Sequence, residues 1–282
     1  MIRQAAYAGS FYAAREKNLL ESIEDCFKSH LGPENLPEGI KYPDNPLPFF
    51  VVPHAGYMYS GPVAASSYLE LSKYKVPDTV VIFGPNHTGF GADIGVPDKV
   101  TEWETPLGII SINHGFIDKL MKIDSKVQKN DSSHVREHSI EVQLPFLQYI
   151  FKKPFQLVPI AMMNQSYDSS LFLGESVAKL IKDKNIAVIA SSDLTHFEHH
   201  DSAKNKDTQI LNAIEKMDAK SMYDIKYKLN VTMCGFGPIA ATIEAAKNTN
   251  RTKSKILNYA TSGDVTGDRG QVVGYGSAMF YK

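Results

Sequence analysis

Three apolar runs in this chain each lead into a histidine: Phe49-Phe50-Val51-Val52-Pro53-His54, Val80-Val81-Ile82-Phe83-Gly84-Pro85-Asn86-His87, and Val188-Ile189-Ala190-Ser191-Ser192-Asp193-Leu194-Thr195-His196. Imidazole is the commonest metal ligand and the side chain best suited to moving protons near neutral pH. Loops leaving the carboxyl ends of parallel strands gather in one crevice, so the pattern predicts a shared cleft and suggests a metal site within it.

Further residues could complete such a site. Asp193 precedes His196 by three positions, a spacing that brings both into one cleft if the chain turns helically after the strand. Asp193 would then orient a base or accept a proton, with capping of the next helix as the alternative. Cys234 lies in Thr232-Met233-Cys234-Gly235-Phe236-Gly237-Pro238-Ile239, a glycine-rich turn feeding a helix. The helix dipole would favour its thiolate as nucleophile or metal ligand; a small buried residue at a crowded turn is the other reading. Two imidazoles and a thiolate would leave coordination positions open and would suit iron, copper or zinc far better than magnesium or calcium. In Arg136-Glu137-His138-Ser139-Ile140-Glu141, His138 is a candidate catalytic residue, with a structural role as the alternative. Glu137 and Glu141 read as surface or capping acids, or as partners that hold a ligating imidazole. His199 and His200 sit in a polar stretch and read as solvated, and Cys26 reads as a packed thiol on an amphipathic helix.

These residues need a scaffold, and the pattern supplies an α/β one. Short β-branched runs predict strands at 48–53, 79–84, 156–161, 186–191, 255–260 and 273–281. Longer amphipathic stretches predict helices at 16–31, 62–73, 115–123, 139–151, 168–183, 202–217, 219–228 and 238–248, with Pro62 and Pro238 marking first turns. Residues 92–96 and 108–112 read as two further strands flanking a turn-rich excursion that holds Trp103, an antiparallel addition to the sheet. Proline-rich 31–48 reads as a surface loop. The expected architecture is a mostly parallel or mixed central sheet flanked by helices.

The chain has 282 residues, 43% hydrophobic and 22% charged, ordinary globular material. With no repeat, linker or low-complexity segment, residues 1–282 read as a single domain. A net charge of −1 leaves no basic field for nucleic acid. No apolar run reaches the roughly 18 residues needed to span a bilayer, and no secretory h-region follows Met1. Two cysteines make no disulfide framework and fit a reducing compartment, so a cytoplasmic protein is expected. Without a GxGxxG, Walker or GxSxG pattern, nucleotide chemistry and hydrolase-fold acyl transfer lose ground.

Read in order, Ala8-Gly9-Ser10-Phe11-Tyr12, Pro53-His54-Ala55-Gly56-Tyr57, Gly84-Pro85-Asn86-His87, Glu137-His138-Ser139-Ile140-Glu141 with Leu144-Pro145, Ser191-Ser192-Asp193 with His196, Cys234-Gly235 with Pro238-Ile239, and Asn258-Tyr259-Ala260 resemble the Memo family. Its bacterial and archaeal members are called AmmeMemoRadiSam system protein B. The resemblance spans most of the chain and implies a fold similar to the class III extradiol ring-cleaving dioxygenases, which hold iron(II) with two histidines and a carboxylate. On that pattern His54, His87 and Cys234 are the implied metal ligands, and His196 falls where the dioxygenases place an acid/base histidine. Cysteine in the carboxylate position is a departure: thiolate is softer and more electron-donating, which favours iron or copper redox chemistry, or zinc, over inherited ring cleavage.

The leading expectation is therefore a metal-dependent oxidoreductase with iron or copper, His196 moving protons and Asp193 orienting the site, acting on a small molecule or peptide in the cleft. The family name also implies functional association with a radical-SAM enzyme and an AMMECR-like protein. Two competing expectations use the same cleft. One is a non-catalytic module that binds a peptide or protein through rim tyrosines such as Tyr57 and Tyr59. The other is a zinc-dependent hydrolase with His196 or Glu137 as base.

Overall fold

Four apolar runs fix the centre of the molecule. In the computed structural model, which describes residues 1–282, they are strands buried throughout except for Gln156 at one end. Near-continuous Val, Ile, Leu and Phe are what a parallel strand covered on both faces requires.

In chain order the strands are β1 (Ile2–Arg3), β2 (Phe49–Val52), β3 (Thr79–Pro85), β4 (Ile94–Val96), β5 (Glu102–Thr105), β6 (Gly108–Ile112), β7 (Val127–Lys129), β8 (Gln156–Met162), β9 (Ile186–Ser191), β10 (His196–Glu198), β11 (Lys253–Thr261) and β12 (Val272–Tyr281). The helices are α1 (Glu16–Lys28), α2 (Tyr57–Ser72), α3 (His114–Ile123), α4 (Ser132–Val135), α5 (Leu144–Phe151), α6 (Tyr167–Ile181), α7 (His200–Glu215), α8 (Ala219–Lys228), α9 (Phe236–Asn248) and α10 (Ser262–Thr266).

All twelve strands join one mixed sheet whose main path runs β1-β5-β6-β8-β3-β9-β2-β12-β10. Strands β6, β8, β3, β9 and β2 are mutually parallel neighbours. Antiparallel β12 closes one side against β2, and β5 flanks β6 on the other. Helices α1, α2 and α5 pack as one group and α3, α6, α8 and α9 as another. The buried apolar side chains form one cluster of 70 residues with a satellite of three, so both helix groups share a continuous core.

Several elements depart from the sequence-based expectation. Helix α2 starts at Tyr57, leaving Pro62 in its interior. Tertiary bonds override the proline signal there: Tyr57 N–H donates to Phe11 O at 2.8 Å and Tyr57 Oη to Val142 O at 2.7 Å. The expected helix 139–151 is divided into a 3₁₀ turn, Glu141–Gln143, and α5, with Pro145 in the first turn of α5. Trp103, placed by sequence in a turn-rich excursion, lies in β5 with no exposed surface, the Arg3 guanidinium 4.4 Å above its ring. Strand β4 does add to β8 antiparallel, whereas β6 runs parallel to β8. After β9 the chain stays extended into β10 rather than turning helically.

Candidate metal centre

Because β3, β9 and β2 are adjacent and parallel, the residues that follow them emerge side by side: Asn86-His87, Ser192-Asp193 and Pro53-His54. The loop before the 3₁₀ turn brings His138 to the same end. Gly84 permits this approach, since a Cβ there would stand 2.5 Å from Ser139 Oγ. One nitrogen each of His54, His87 and His138 lies within 4.8 Å of the others, a three-imidazole group that could hold a metal ion.

The surrounding bonds fix which nitrogens are free. Ser191 Oγ gives its single proton to Ser139 O at 2.6 Å and accepts from Gln143 Nε2 at 2.8 Å. Toward His54 Nδ1, 2.8 Å away, it can only accept, so Nδ1 carries the proton and Nε2 presents a lone pair. His54 is 2% exposed, and burial followed by the nearby imidazoles holds its pKa well below the ordinary histidine value, keeping it neutral. His87 donates from Nδ1 to Glu137 Oε1 at 2.9 Å, and its backbone N–H donates to Oε2 at 2.6 Å. Its Nε2 is thereby left for a metal, an arrangement in which a carboxylate orients a ligating imidazole. Burial pushes the Glu137 carboxyl up, but the bond and charge of His87, the Ser139 N–H and the charge of His138 outweigh it and hold the group at about 2. The His138 ring stacks on that of His87 at 4.5 Å and packs against Phe11 at 4.6 Å. Burial, then His87, brings its pKa down to about 4.

Cys234 sits immediately beside this group, its Sγ 3.1 Å from His54 Nε2 and accepting from Asp193 N–H at 3.2 Å. Gln165 Nε2 donates to Cys234 O, and Gly235 N–H to Ser192 Oγ, which pins the turn ahead of α9. Glycine is required at 235 because a Cβ would meet Ser191 O at 2.4 Å. Burial, reinforced by the Asp193 charge, raises the thiol pKa above the ordinary cysteine value and opposes the thiolate preference expected from the helix dipole.

Asp193 faces the turn carrying His54 and accepts from His54 N–H at 2.8 Å. Burial raises its pKa to about 7 against the opposing N–H bonds of His54 and Ala55. His196 is oriented by Thr232, whose carbonyl lies 3.1 Å from Nδ1 and whose Oγ1 accepts from the His196 N–H. Its Nε2 makes no hydrogen bond within the chain, and burial lowers its pKa. Phe197, the next residue, is bulged out of the β10–β12 ladder with φ of 58° and is 70% exposed.

Other readings need correction. Glu137 and Glu141 are neither surface acids nor caps; both have no exposed area. Glu141 anchors the N-terminal segment, pairing with Arg3 and accepting from Tyr12 Oη at 2.6 Å and Tyr7 N–H at 2.8 Å. His200 is buried, its Nδ1 3.0 Å from Thr261 Oγ1, while exposed His199 caps α7. Tyr57, expected on the rim, is 4% exposed, packed against the Tyr12 and Phe146 rings. Ser191, Gln143 and Thr232 orient the imidazoles without having stood out in the sequence; the Ser191-Ser192 pair at a strand end was the available sign.

The profile of the Memo family, described as Memo-like protein, matches residues 3–279. A MEMO1 family protein of Sulfolobus acidocaldarius is 45% identical over 99% of both chains, and one of Methanopyrus kandleri is 44% identical over the same shares. Among solved structures, an uncharacterized protein of Escherichia coli K12 shares the fold, with a TM-score of 0.57 at 12% identity over 83% of this chain and 99% of that one.

Proposed function

This chain belongs to the Memo family, and on that footing we propose that it is a metal-dependent redox protein, dioxygenase-like in the placing of its site at the sheet's carboxyl edge. The observation that carries the reading is the convergence of three imidazole nitrogens within 4.8 Å, two of them with their lone pairs fixed by their neighbours. The donor set fits iron, copper or zinc: neutral nitrogen donors beside a sulfur, with both Glu137 oxygens already taken by N–H groups. A bound iron or copper ion would supply electron transfer to or from a substrate.

The chain's own residues supply the rest. His54 and His87 are ligands, held by Ser191 and Glu137. His138 would serve as a third nitrogen donor, and Cys234 as a sulfur donor beside His54. His196, held through Nδ1, moves protons at Nε2, and Asp193 fixes the His54 turn. Two free cysteines support a reducing, cytoplasmic setting. No helix is long and apolar enough to cross a membrane.

Metal analysis of protein purified anaerobically without chelator tests the reading. Iron or copper is expected at near one ion per chain, falling in His54→Ala, His87→Ala and His138→Ala, and Cys234→Ala reports whether sulfur contributes. Unchanged content in all the histidine variants refutes the site. A second reading follows from the donors themselves, since three imidazoles also make a hydrolytic zinc site. Zinc content without oxygen consumption favours that reading, with His196 as base, because both Glu137 oxygens are already engaged.

A further inference from the structure

At the opposite end of the sheet from the histidines, the loops preceding β2 and β9 and the α9–β11 turn border an open cavity of about 460 Å³. Five cationic side chains line it: Lys75, Lys182, Lys184, Arg251 and Lys282. None has a carboxylate within ion-pair distance, although Asp44 and Asp183 are in the same wall.

Arg251 gives the cavity a built floor. It is 6% exposed and lies 3.9 Å over the Phe49 ring. Its Nε donates to Leu47 O at 2.7 Å and its Nη1 to Thr249 Oγ1 at 2.7 Å. Nη2 finds no acceptor in the chain, and Arg251 is one of the residues lining the cavity. Burial without a counter-charge lowers its pKa to about 10. A nearly buried guanidinium lacking an anion is costly, and guanidinium forks match phosphate geometry.

We infer that this cavity binds a phosphate monoester of a small polar metabolite, with Arg251 and the lysines receiving the phosphate. The walls hold no aromatic ring and only two hydrophobic residues, which leaves nothing for a nucleobase to stack on and favours a sugar phosphate. The cavity volume falls within the usual range for small-molecule sites.

Isothermal titration of the full-length protein with ribose 5-phosphate, inorganic phosphate and ribose tests the inference. Saturable binding of ribose 5-phosphate is expected, weakened by salt, with none for ribose and weaker binding of inorganic phosphate. The double variant Lys182→Ala/Lys184→Ala should bind about tenfold more weakly with unchanged melting temperature, as loss of one or two charge-assisted contacts implies. Arg251→Lys should also bind more weakly, since it keeps the charge and loses the fork. The double variant His54→Ala/His87→Ala should bind as the parent does. The inference is overturned by absence of saturable binding at about 10 mM, by equal affinity for inorganic phosphate, by affinity unchanged in the lysine variant, or by loss of binding in the histidine variant.

Discussion

Replacing Glu137 by Gln separates the orienting role of this carboxylate from mere packing. The change is nearly isosteric, yet both carboxylate oxygens accept from N–H groups: Oε1 from His87 Nδ1 and Ser139 N, Oε2 from His87 N. An amide offers one acceptor. If its oxygen stays with Nδ1, the amide NH₂ is forced against the His87 backbone N–H, and a bond to a charged group worth about 1.5–3 kcal/mol is lost. If the amide flips, the NH₂ faces Nδ1, the imidazole proton moves to Nε2, and the lone pair meant for a metal is gone. Either way His87 is a poorer ligand. Removal of such an orienting partner typically weakens metal binding about 10- to 100-fold, or about 1.4–2.7 kcal/mol. Competition titration of apo-protein with zinc against a chromophoric chelator measures this directly, and urea denaturation of the same samples reports stability. Affinity within about twofold of the parent refutes the argument that Glu137 fixes the tautomer of His87.

Three further outcomes follow from the structure. His134 is buried with neither ring nitrogen hydrogen-bonded, and burial followed by the Arg3 charge lowers its pKa to about 4. The unfolded chain therefore takes up this proton first, so the contribution to stability is intact above about 6.5 and falls by about 3 kcal/mol as pH drops to about 4. Denaturation curves of parent and His134→Leu across that window should differ by that slope; parallel curves rule it out. Arg3→Ala leaves Glu141 buried without its cation, and removes donors to the carbonyls of His134 and Glu137; a loss of about 3–5 kcal/mol is expected in urea, and a loss under about 1 kcal/mol contradicts it. Phe197→Gly relieves a left-handed backbone at little cost in burial and should raise stability by about 0.5–1 kcal/mol after the entropy of the added glycine; a clear destabilisation would show that the Phe197 ring is held by contacts on the surface.

His54 and His87 were readable because each follows a buried run through a tight turn, and parallel neighbours deliver such residues to one edge. His138 was visible only as an ambiguous residue, because its segment is irregular and its place depends on Gly84 letting the loop close on β3. Glu137 could not be decided between a surface or capping acid and a partner of a ligating imidazole, because the imidazole it holds is 50 residues away. Pro62 misled for a related reason, since bonds to Phe11 and Val142 start α2 ahead of it. The burial that raises the Cys234 thiol pKa could not be read, because it comes from segments that are far apart in sequence.

The order in which the chain is made bears on when the candidate centre can exist. His54 emerges early, but the carboxylate holding its backbone lies 139 residues later and the thiol against its Nε2 lies 180 residues later. Strand β2, which carries His54, is bordered by β9 and by β12, the last strand of the chain. A nascent chain on the ribosome thus exposes isolated histidines but no assembled pocket, and an ion held by all of these residues together would be taken up only once the sheet is complete.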